Sequence, residues 1–101
     1  RDRLKRAKMG EIADRYADYI ILTNDNPRCE DERQIIDDIK KGISNSPYEI
    51  ILDRKKAIHR GLELKGKYDY FFILGKGDEK YIEKCNKKTP FNDKETLLKM
   101  V

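Results

Sequence analysis

A chain of 101 residues has room for one domain of ordinary size, so we expect a single unit over residues 1–101. Hydrophobic residues make up 38% and charged residues 42% of it, and the hydrophobic residues gather in short runs, which is typical of a globular chain. No apolar stretch is long enough to cross a bilayer and no signal-peptide pattern is present, so we expect a cytoplasmic protein that does not bind membranes.

The basic and metal-ligating residues exclude further classes of function. The net charge of +4 comes from basic residues interleaved with 19 acidic ones, which argues against a nucleic-acid-binding surface. Cys29, Cys85 and His59 form none of the spacings typical of a metal site, so we expect no metal ligands. We expect both cysteines to be reduced bystanders and His59 to lie on a helix surface.

The first predicted elements are a helix and a buried strand. Hydrophobic residues recur at helical spacing over about 4–17. The side of this helix predicted to be buried carries Met9, Ile12, Ala13, Tyr16 and Ala17. The run 19–23 (YIILT) is short and rich in strand-forming residues, and the turn formers at 24–27 end it.

Two further helices enclose a second strand. The first of them is predicted over about 31–42, with its isoleucines facing inward: Ile35, Ile36, Ile39 and Ile43. Residues 48–52 form the next predicted strand. Asp53 is a predicted N-cap of the helix 54–64, whose apolar side carries Ala57, Ile58 and Leu62.

The last third of the chain begins with a predicted strand over 68–74 (YDYFFIL). Residues 78–90 are polar and irregular, which is compatible with a short hairpin. Asn92 followed by Glu95 fits a capping box, which predicts a final helix that ends near Met100.

Alternating strands and helices predict an α/β fold with a mostly parallel sheet. In such sheets ligands bind at the carboxyl ends of the strands. The segments 24–28 (NDNPR) and 75–79 (GKGDE) each follow a predicted strand, so we expect both at the same edge. Because the chain opens on a helix, we also expect that a first strand is missing from the sheet.

Each of these segments has a structural and a functional interpretation. Residues 25–28 (DNPR) suit an ordinary turn, yet Arg28 at the end of a strand also has the fork geometry that holds a carboxylate. Residues 75–77 (GKG) allow a tight turn or the close approach of a ligand to the backbone, and Glu79 offers a charge for an ammonium group. Neither segment is a phosphate-binding P-loop.

Taken in order, the segments resemble one family. The motifs RDRxKR, ADYIILTNDNPRxED, DRxxAI, GKGxE and PFNDKE are similar to the C-terminal domain of the Mur ligases that add diaminopimelate to UDP-N-acetylmuramoyl-alanyl-glutamate. The resemblance extends from Arg1 to about Glu95, and DNPRxED and GKGxE are its specific parts. It implies a Rossmann-like, mostly parallel three-layer sandwich.

The resemblance also implies a reaction and its ligands. Such enzymes use ATP and Mg²⁺ to convert a glutamate carboxylate into an acyl phosphate, which the amine of meso-diaminopimelate attacks to form an amide. Their nucleotide-binding domains are separate, so we expect this chain alone to contain no catalytic residue and to be inactive. The residues implied to bind diaminopimelate are Arg1, Asp25, Asn26, Pro27, Arg28, Gly75 and Glu79.

The implied roles divide between the two charges at the far end of the substrate. Arg28 and Arg1 would contact its carboxylate, while the Gly75 carbonyl and Glu79 would hold its ammonium. Asp78 departs from the histidine common in the family, which leaves that position without an implied role and leaves room for an isostere such as lanthionine. A lysine-adding relative and a free-standing α/β binding module remain alternatives.

Overall fold

A computed structural model describes residues 3–75 and 79–101 of the chain. The helices are α1 (Arg3–Tyr16), α2 (Glu32–Lys40), α3 (Arg54–Leu64) and α4 (Asp93–Met100), and a short 3₁₀ turn spans Lys65–Lys67. The strands are β1 (Ile20–Leu22), β2 (Tyr48–Ile50), β3 (Tyr81–Lys84) and β4 (Lys87–Pro90). Within the described ranges, no helix is long and apolar enough to cross a membrane.

Strands β1 and β2 form the predicted parallel pair, with Ile21 opposite Glu49. Hydrogen bonding continues past the strand ends, because the Ile51 amide donates to the Leu22 carbonyl at 2.9 Å and the Asn24 amide to the Leu52 carbonyl at 3.4 Å. The second predicted strand is therefore confirmed over most of its length. Helix α2 connects the two parallel strands, as such a crossover requires.

Local signals placed the helix starts correctly. Asp53 accepts a hydrogen bond from the Lys56 amide and Asn92 accepts one from the Glu95 amide, so both predicted N-caps are confirmed. Asp31 caps α2 in the same way through the Arg33 amide. Helix α3 has the bounds that were predicted, and His59 is exposed on its surface, as expected.

The core is built from β1 and α2, with Ile20, Leu22 and Ile36 buried. The residues packed against it are Ala13, Ala17, Ile39, Ile43, Ile50 and Leu52. On α1, the predicted buried side is mostly wrong, since Met9, Ile12 and Tyr16 are 55%, 51% and 76% exposed. This helix instead approaches α2 through Gly10, where a β-carbon would overlap the Ile39 carbonyl.

Residues 68–74 do not form the predicted strand: among residues 3–75 and 79–101, none pairs with them. The segment still runs in the same direction as β1. Tyr68 packs beside Tyr19 with ring centroids 6.3 Å apart, and Arg54 donates to the carbonyls of both Asn24 and Leu74. The side chains alternate as in a strand, with Tyr70, Phe72 and Leu74 exposed. Side-chain contacts hold this segment where backbone pairing was expected, since a ladder needs a neighbouring strand about 4.8 Å away.

Strands β3 and β4 form an antiparallel hairpin with Tyr81 opposite Pro90. Cys85 and Asn86 form its two-residue turn, and both have positive φ angles, 45° and 67°. Such angles are those of the turns that suit tight hairpins. The hairpin suggested by the irregular composition of 78–90 is therefore present, and the α/β chain contains both a parallel and an antiparallel pair.

Candidate functional site

The two loops predicted to share one edge of the sheet are in contact. Asn26 Nδ2 donates to Glu79 Oε1 at 3.0 Å. Gly75 lies against the side chain of Asp25, because a β-carbon built on Gly75 would be 3.3 Å from Asp25 Oδ2. The φ of Gly75 is +106°, which suits glycine and strains other residues. The geometry therefore unites residues that are about 50 positions apart in sequence.

The loop after β1 lies beside strand β3 and is hydrogen-bonded to it. The Arg28 amide donates to the Glu83 carbonyl at 3.0 Å, and the Cys85 amide donates to the Arg28 carbonyl at 2.7 Å. The Asn26 side chain accepts from the Glu83 amide at 2.9 Å. Pro27 is buried, and the residues on either side of it, Asn26 and Arg28, are both hydrogen-bonded to the hairpin.

Arg28 has a backbone conformation that few arginines adopt. Its φ is 55°, in the left-handed region, which costs a residue with a β-carbon about 1 kcal/mol. Its side chain is 45% exposed, and its Nε lies 3.8 Å from Glu83 Oε1. A strained residue whose backbone is held by two hydrogen bonds and whose guanidinium is open to solvent is typical of a binding group.

The charges at this edge suit a ligand that carries both signs. Arg28 presents a guanidinium, which binds carboxylates through two parallel hydrogen bonds. Glu79 presents a carboxylate on the second loop, and the hydrogen bond from Asn26 to this carboxylate joins the two loops. Gly75 precedes this part of the second loop and lies against the side chain of Asp25, which adds a second carboxylate. This arrangement is chemically able to bind an ammonium group and a carboxylate side by side.

Comparison with known proteins identifies the family to which this chain belongs. The family model described as "Mur ligase, glutamate ligase domain" matches residues 1–77. The chain belongs to this family. This Mur ligase domain is 48% identical over 97 residues to the UDP-N-acetylmuramoyl-L-alanyl-D-glutamate–2,6-diaminopimelate ligase of Chlorobium phaeobacteroides, over 96% of the chain and 19% of that protein.

Other diaminopimelate ligases are similar to this chain to a comparable degree. The Helicobacter pylori protein is 51% identical over 98 residues, which are 96% of this chain and 22% of that protein. The Blochmanniella floridana protein is 55% identical over 82 residues, which are 80% of this chain and 16% of that protein. The Mur ligase domain therefore spans about a fifth of the length of the relatives that it matches.

One predicted site residue, Arg1, lies outside the described residues, and so does Asp78, the departure from the family's usual histidine. The remaining predicted residues are brought together as described above: Asp25, Asn26, Pro27, Arg28, Gly75 and Glu79.

Glu83 is the residue of this site that sequence reasoning missed. Its amide and carbonyl are hydrogen-bonded to Asn26 and Arg28 of the loop 25–28, the predicted recognition loop, and its carboxylate faces Arg28. It lies outside every motif, in a polar hairpin, and its position opposite Arg28 depends entirely on tertiary packing. An acidic residue two or three positions before a hairpin turn carries no signal that would have identified it.

The expectation that the two cysteines are unpaired bystanders is wrong. Cys29 and Cys85 form a disulfide across 56 positions of sequence. The recognition loop runs beside β3, and this places the residue after Arg28 next to the hairpin turn. Two cysteines so far apart form no local motif, so only the tertiary structure reveals the pair.

A charge pair near the loop alters the protonation of one acid. Lys84 Nζ lies 2.9 Å from Glu32 Oε1 and holds the pKa of that carboxyl below its usual range. Because Lys84 is on β3 and Glu32 opens α2, the pair ties the hairpin to the helix that follows the recognition loop. This contact reinforces the position of the loop from its carboxyl-terminal side.

Proposed function

We propose that this chain is the amino-acid-recognition domain of a longer ATP-dependent ligase. The enzyme would add meso-diaminopimelate to the glutamate of UDP-MurNAc-L-Ala-D-Glu. Relatives about five times as long bear the name of that activity, which supports the proposal. The substrates are accordingly a diamino diacid, a UDP-linked dipeptide and ATP, and the enzyme is expected in the cytoplasm, where activated nucleotide precursors are made.

The observation that carries the proposal is the hydrogen bond between Asn26 and Glu79, 3.0 Å long. It joins the loop that bears Arg28 to the loop that bears a carboxylate. The far end of diaminopimelate has one carboxylate and one ammonium, and these two loops offer one partner to each. Arg28 would bind the carboxylate through its fork, and Glu79 together with the Gly75 carbonyl would bind the ammonium.

The remaining assigned residues shape or extend this pair. Asp25 and Pro27 would fix the loop, while Asn26 adds a polar contact and Arg1 a second guanidinium for the carboxylate. The near end of the substrate would extend toward the acyl phosphate of the glutamate. Its amine then attacks the acyl carbon, the C–N bond forms, and phosphate leaves as the amine loses a proton.

Discrimination against lysine follows from the same charges. Lysine has the distal ammonium but lacks the distal carboxylate, so Arg28 would gain no partner from it and would keep only its open pair with Glu83. Losing a hydrogen bond to a charged group costs about 1.5–3 kcal/mol. Lanthionine retains both distal charges, and the loop therefore predicts a preference for diamino diacids as a class over lysine.

The residues of this chain do not fit ATP and Mg²⁺ as principal ligands. The sequence contains no GxxGK[ST] loop, and the described residues contain no group of three or more His, Cys, Asp or Glu that would hold a metal ion. We infer that the rest of the longer protein binds both. The chemical step is therefore assigned outside this chain, and no residue of it is assigned as catalytic.

We further propose that the sheet is completed in the longer protein as a Rossmann-like, mostly parallel three-layer sandwich. The exposed, alternating side chains of 70–74 and the common direction of this segment and β1 support an additional strand between them. Backbone amides of residues 70–74 should then exchange slowly in the longer protein. Fast exchange there would contradict this arrangement.

An acceptor competition tests the proposed function. The longer enzyme is given ATP, UDP-MurNAc-dipeptide and equal concentrations of meso-diaminopimelate, lanthionine and lysine, and the products are resolved by mass. We expect the diaminopimelate adduct to dominate and lysine to be nearly excluded. Equal incorporation of lysine would refute the assignment, and a dominant lanthionine adduct would transfer it to the isostere. The 101-residue chain alone should form no amide.

A further inference from the structure

Arg54 is a buried arginine placed between the two loops of the candidate site. It is the first residue of α3 and is 4% exposed. Its Nη1 donates to the Asn24 carbonyl at 3.0 Å, and its Nη2 donates to the Leu74 carbonyl at 3.1 Å. Asn24 immediately precedes the recognition loop, and Leu74 immediately precedes Gly75.

The charge of Arg54 is balanced by Asp93. The two side chains form a bidentate pair, with Nε–Oδ1 and Nη2–Oδ2 distances of 2.7 Å. Asp93 is 7% exposed, so the pair is shielded from solvent. The neighbouring Asn92 donates from Nδ2 to the Glu79 carbonyl at 3.0 Å. The start of α4 is thereby connected to Arg54 and to the second loop at once.

We propose that Arg54 and Asp93 are positioning residues that set the spacing between the two halves of the diamino-acid site. This inference rests on the proposed function. One rigid guanidinium binds the backbone directly before each loop, and Asp93 fixes its orientation. Neither side chain contacts the proposed substrate. Together they hold the carbonyls of Asn24 and Leu74 at a fixed separation, and Arg28 and Glu79 extend from the loops that follow.

The geometry requires arginine in particular. The contacts use Nε and both Nη atoms in one plane, and this planar fork has no equivalent in lysine, whose single ammonium cannot reach three separate acceptors in the same arrangement. Arg54→Lys therefore retains the charge but releases one or both carbonyls. Asp93→Asn retains the shape but removes the charge that holds the fork in place.

The test compares these variants in the longer enzyme. Misplacement of binding groups by about 1 Å lowers catalysis by up to about 100-fold, so we expect Arg54→Lys to raise the KM for diaminopimelate between about 10- and 100-fold. The KM for the UDP-linked dipeptide should change less than about twofold, because the two loops that Arg54 holds are those proposed to bind the amino acid. Amide exchange at Asp25, Asn26, Arg28 and Gly75 should accelerate without ligand, while exchange in β1 stays unchanged.

Two control variants separate positioning from stability. Arg60→Lys alters another arginine of α3, whose Nε donates to Glu49 Oε2 at 3.0 Å. Because Glu49 lies on β2 and not in either loop, this variant should leave every KM unchanged. Ile36→Val removes a methylene group from the core and leaves Arg54 and Asp93, the clamp between the two loops, unchanged. It should therefore lower the melting temperature without changing the KM. Asp93→Asn should reproduce the Arg54→Lys pattern.

The outcomes distinguish this inference from the proposed function. If the unmodified enzyme uses diaminopimelate but Arg54→Lys and Asp93→Asn leave its KM and the loop exchange unchanged, the positioning role is wrong. A KM that rises equally for all substrates, as stability falls, would also overturn it. If the unmodified enzyme does not use a diamino diacid, the proposed function fails first, and the exchange measurement still tests the clamp.

Discussion

Arg28 combines backbone strain with an accessible side chain. Its positive φ is maintained by hydrogen bonds from its amide to Glu83 and from Cys85 to its carbonyl. These bonds offset the local strain and leave the side chain beside the hairpin, where its Nε lies 3.8 Å from Glu83 Oε1. A pair so long and so open is worth about 0–1 kcal/mol, so a substrate carboxylate can replace it.

This weak pair yields a prediction for Glu83. Glu83→Gln removes a carboxylate that competes for Arg28 but keeps the backbone contacts of the loop. In the longer enzyme we expect the KM for diaminopimelate to fall about two- to fivefold, in line with the small energy of the pair. The control is Glu63→Gln, an exposed acid at the far end of α3. A rise in KM would instead make Glu83 a direct ligand of the substrate.

Among the elements, α1 and α2 depend on two close backbone approaches. Gly10 lies against the Ile39 carbonyl, and Gly42 lies against the Ala7 carbonyl, with no room for a β-carbon at either position. A methyl group at Gly10 would force the helices apart. Gly10→Ala should therefore lower the free energy of unfolding by about 1–3 kcal/mol, measured by urea unfolding.

Gly66 offers the matched control for this substitution. A β-carbon there would meet nothing within 4 Å. Gly66→Ala should be neutral or slightly stabilising, since alanine reduces the freedom of the unfolded chain. If the two variants unfold at the same urea concentration, the close packing of α1 on α2 is wrong.

The disulfide links the recognition loop to the hairpin across a long stretch of chain. Closing a loop of 56 residues in the unfolded state is worth up to about 4 kcal/mol. Reduction with a mild thiol should therefore lower the unfolding midpoint, and thiol counting by mass should give two fewer free thiols before reduction. The Cys29→Ser and Cys85→Ser double variant should match the reduced protein. An unmodified chain with two free thiols in air would contradict the pairing.

Elements specified by neighbouring residues were predictable, and those specified by distant ones were not. The caps Asp53 and Asn92 and the strand 19–23 follow from local chemistry and a continuous apolar run. The buried side of α1 was predicted wrongly because the spacing of apolar residues was the only guide to it. That guide ignores Gly10, which allows α1 and α2 to come into close contact. The prediction of a strand over 68–74 was wrong because it rested on composition alone. A strand also needs a neighbouring strand to pair with, and composition does not report one.

In the candidate site, too, features that depend on local sequence were predictable and features that depend on distant residues were not. The shared edge of the two loops followed from strand direction alone, and Asn26 and Glu79 meet there. Glu83, the disulfide and the Arg54 clamp come from contacts between residues that are 20 to 57 positions apart. No pattern within one segment of sequence encodes such contacts.

At the scale of the whole molecule, two partly exposed acids that accept hydrogen bonds, Glu30 and Asp14, determine how stability depends on pH. Arg6 hydrogen-bonds Glu30 and lowers the pKa of Glu30 to about 2. The amides of Ser46 and Asn45 hold the pKa of Asp14 well below its usual range. The unfolded chain therefore binds more protons than the folded one between pH 4.5, the ordinary value for glutamate, and about 2.

Stability should then be constant near neutral pH and fall as the pH drops through this window. Urea unfolding midpoints between pH 7 and pH 2 measure the effect. Glu30→Gln should flatten the fall, because it removes one of the groups whose pKa is lowered on folding. A midpoint that stays level between pH 5 and pH 2 would show that these contacts do not persist in solution.

The most direct test of the whole account is the effect of Arg28→Ala on acceptor choice in the longer enzyme. Diaminopimelate would lose its carboxylate partner, so its KM should rise at least about 30-fold, the equivalent of about 2 kcal/mol. The weak use of lysine should stay the same, and Arg33→Ala, an exposed arginine on α2, should change neither. An unchanged KM for diaminopimelate in the Arg28→Ala enzyme would contradict the assignment of this loop.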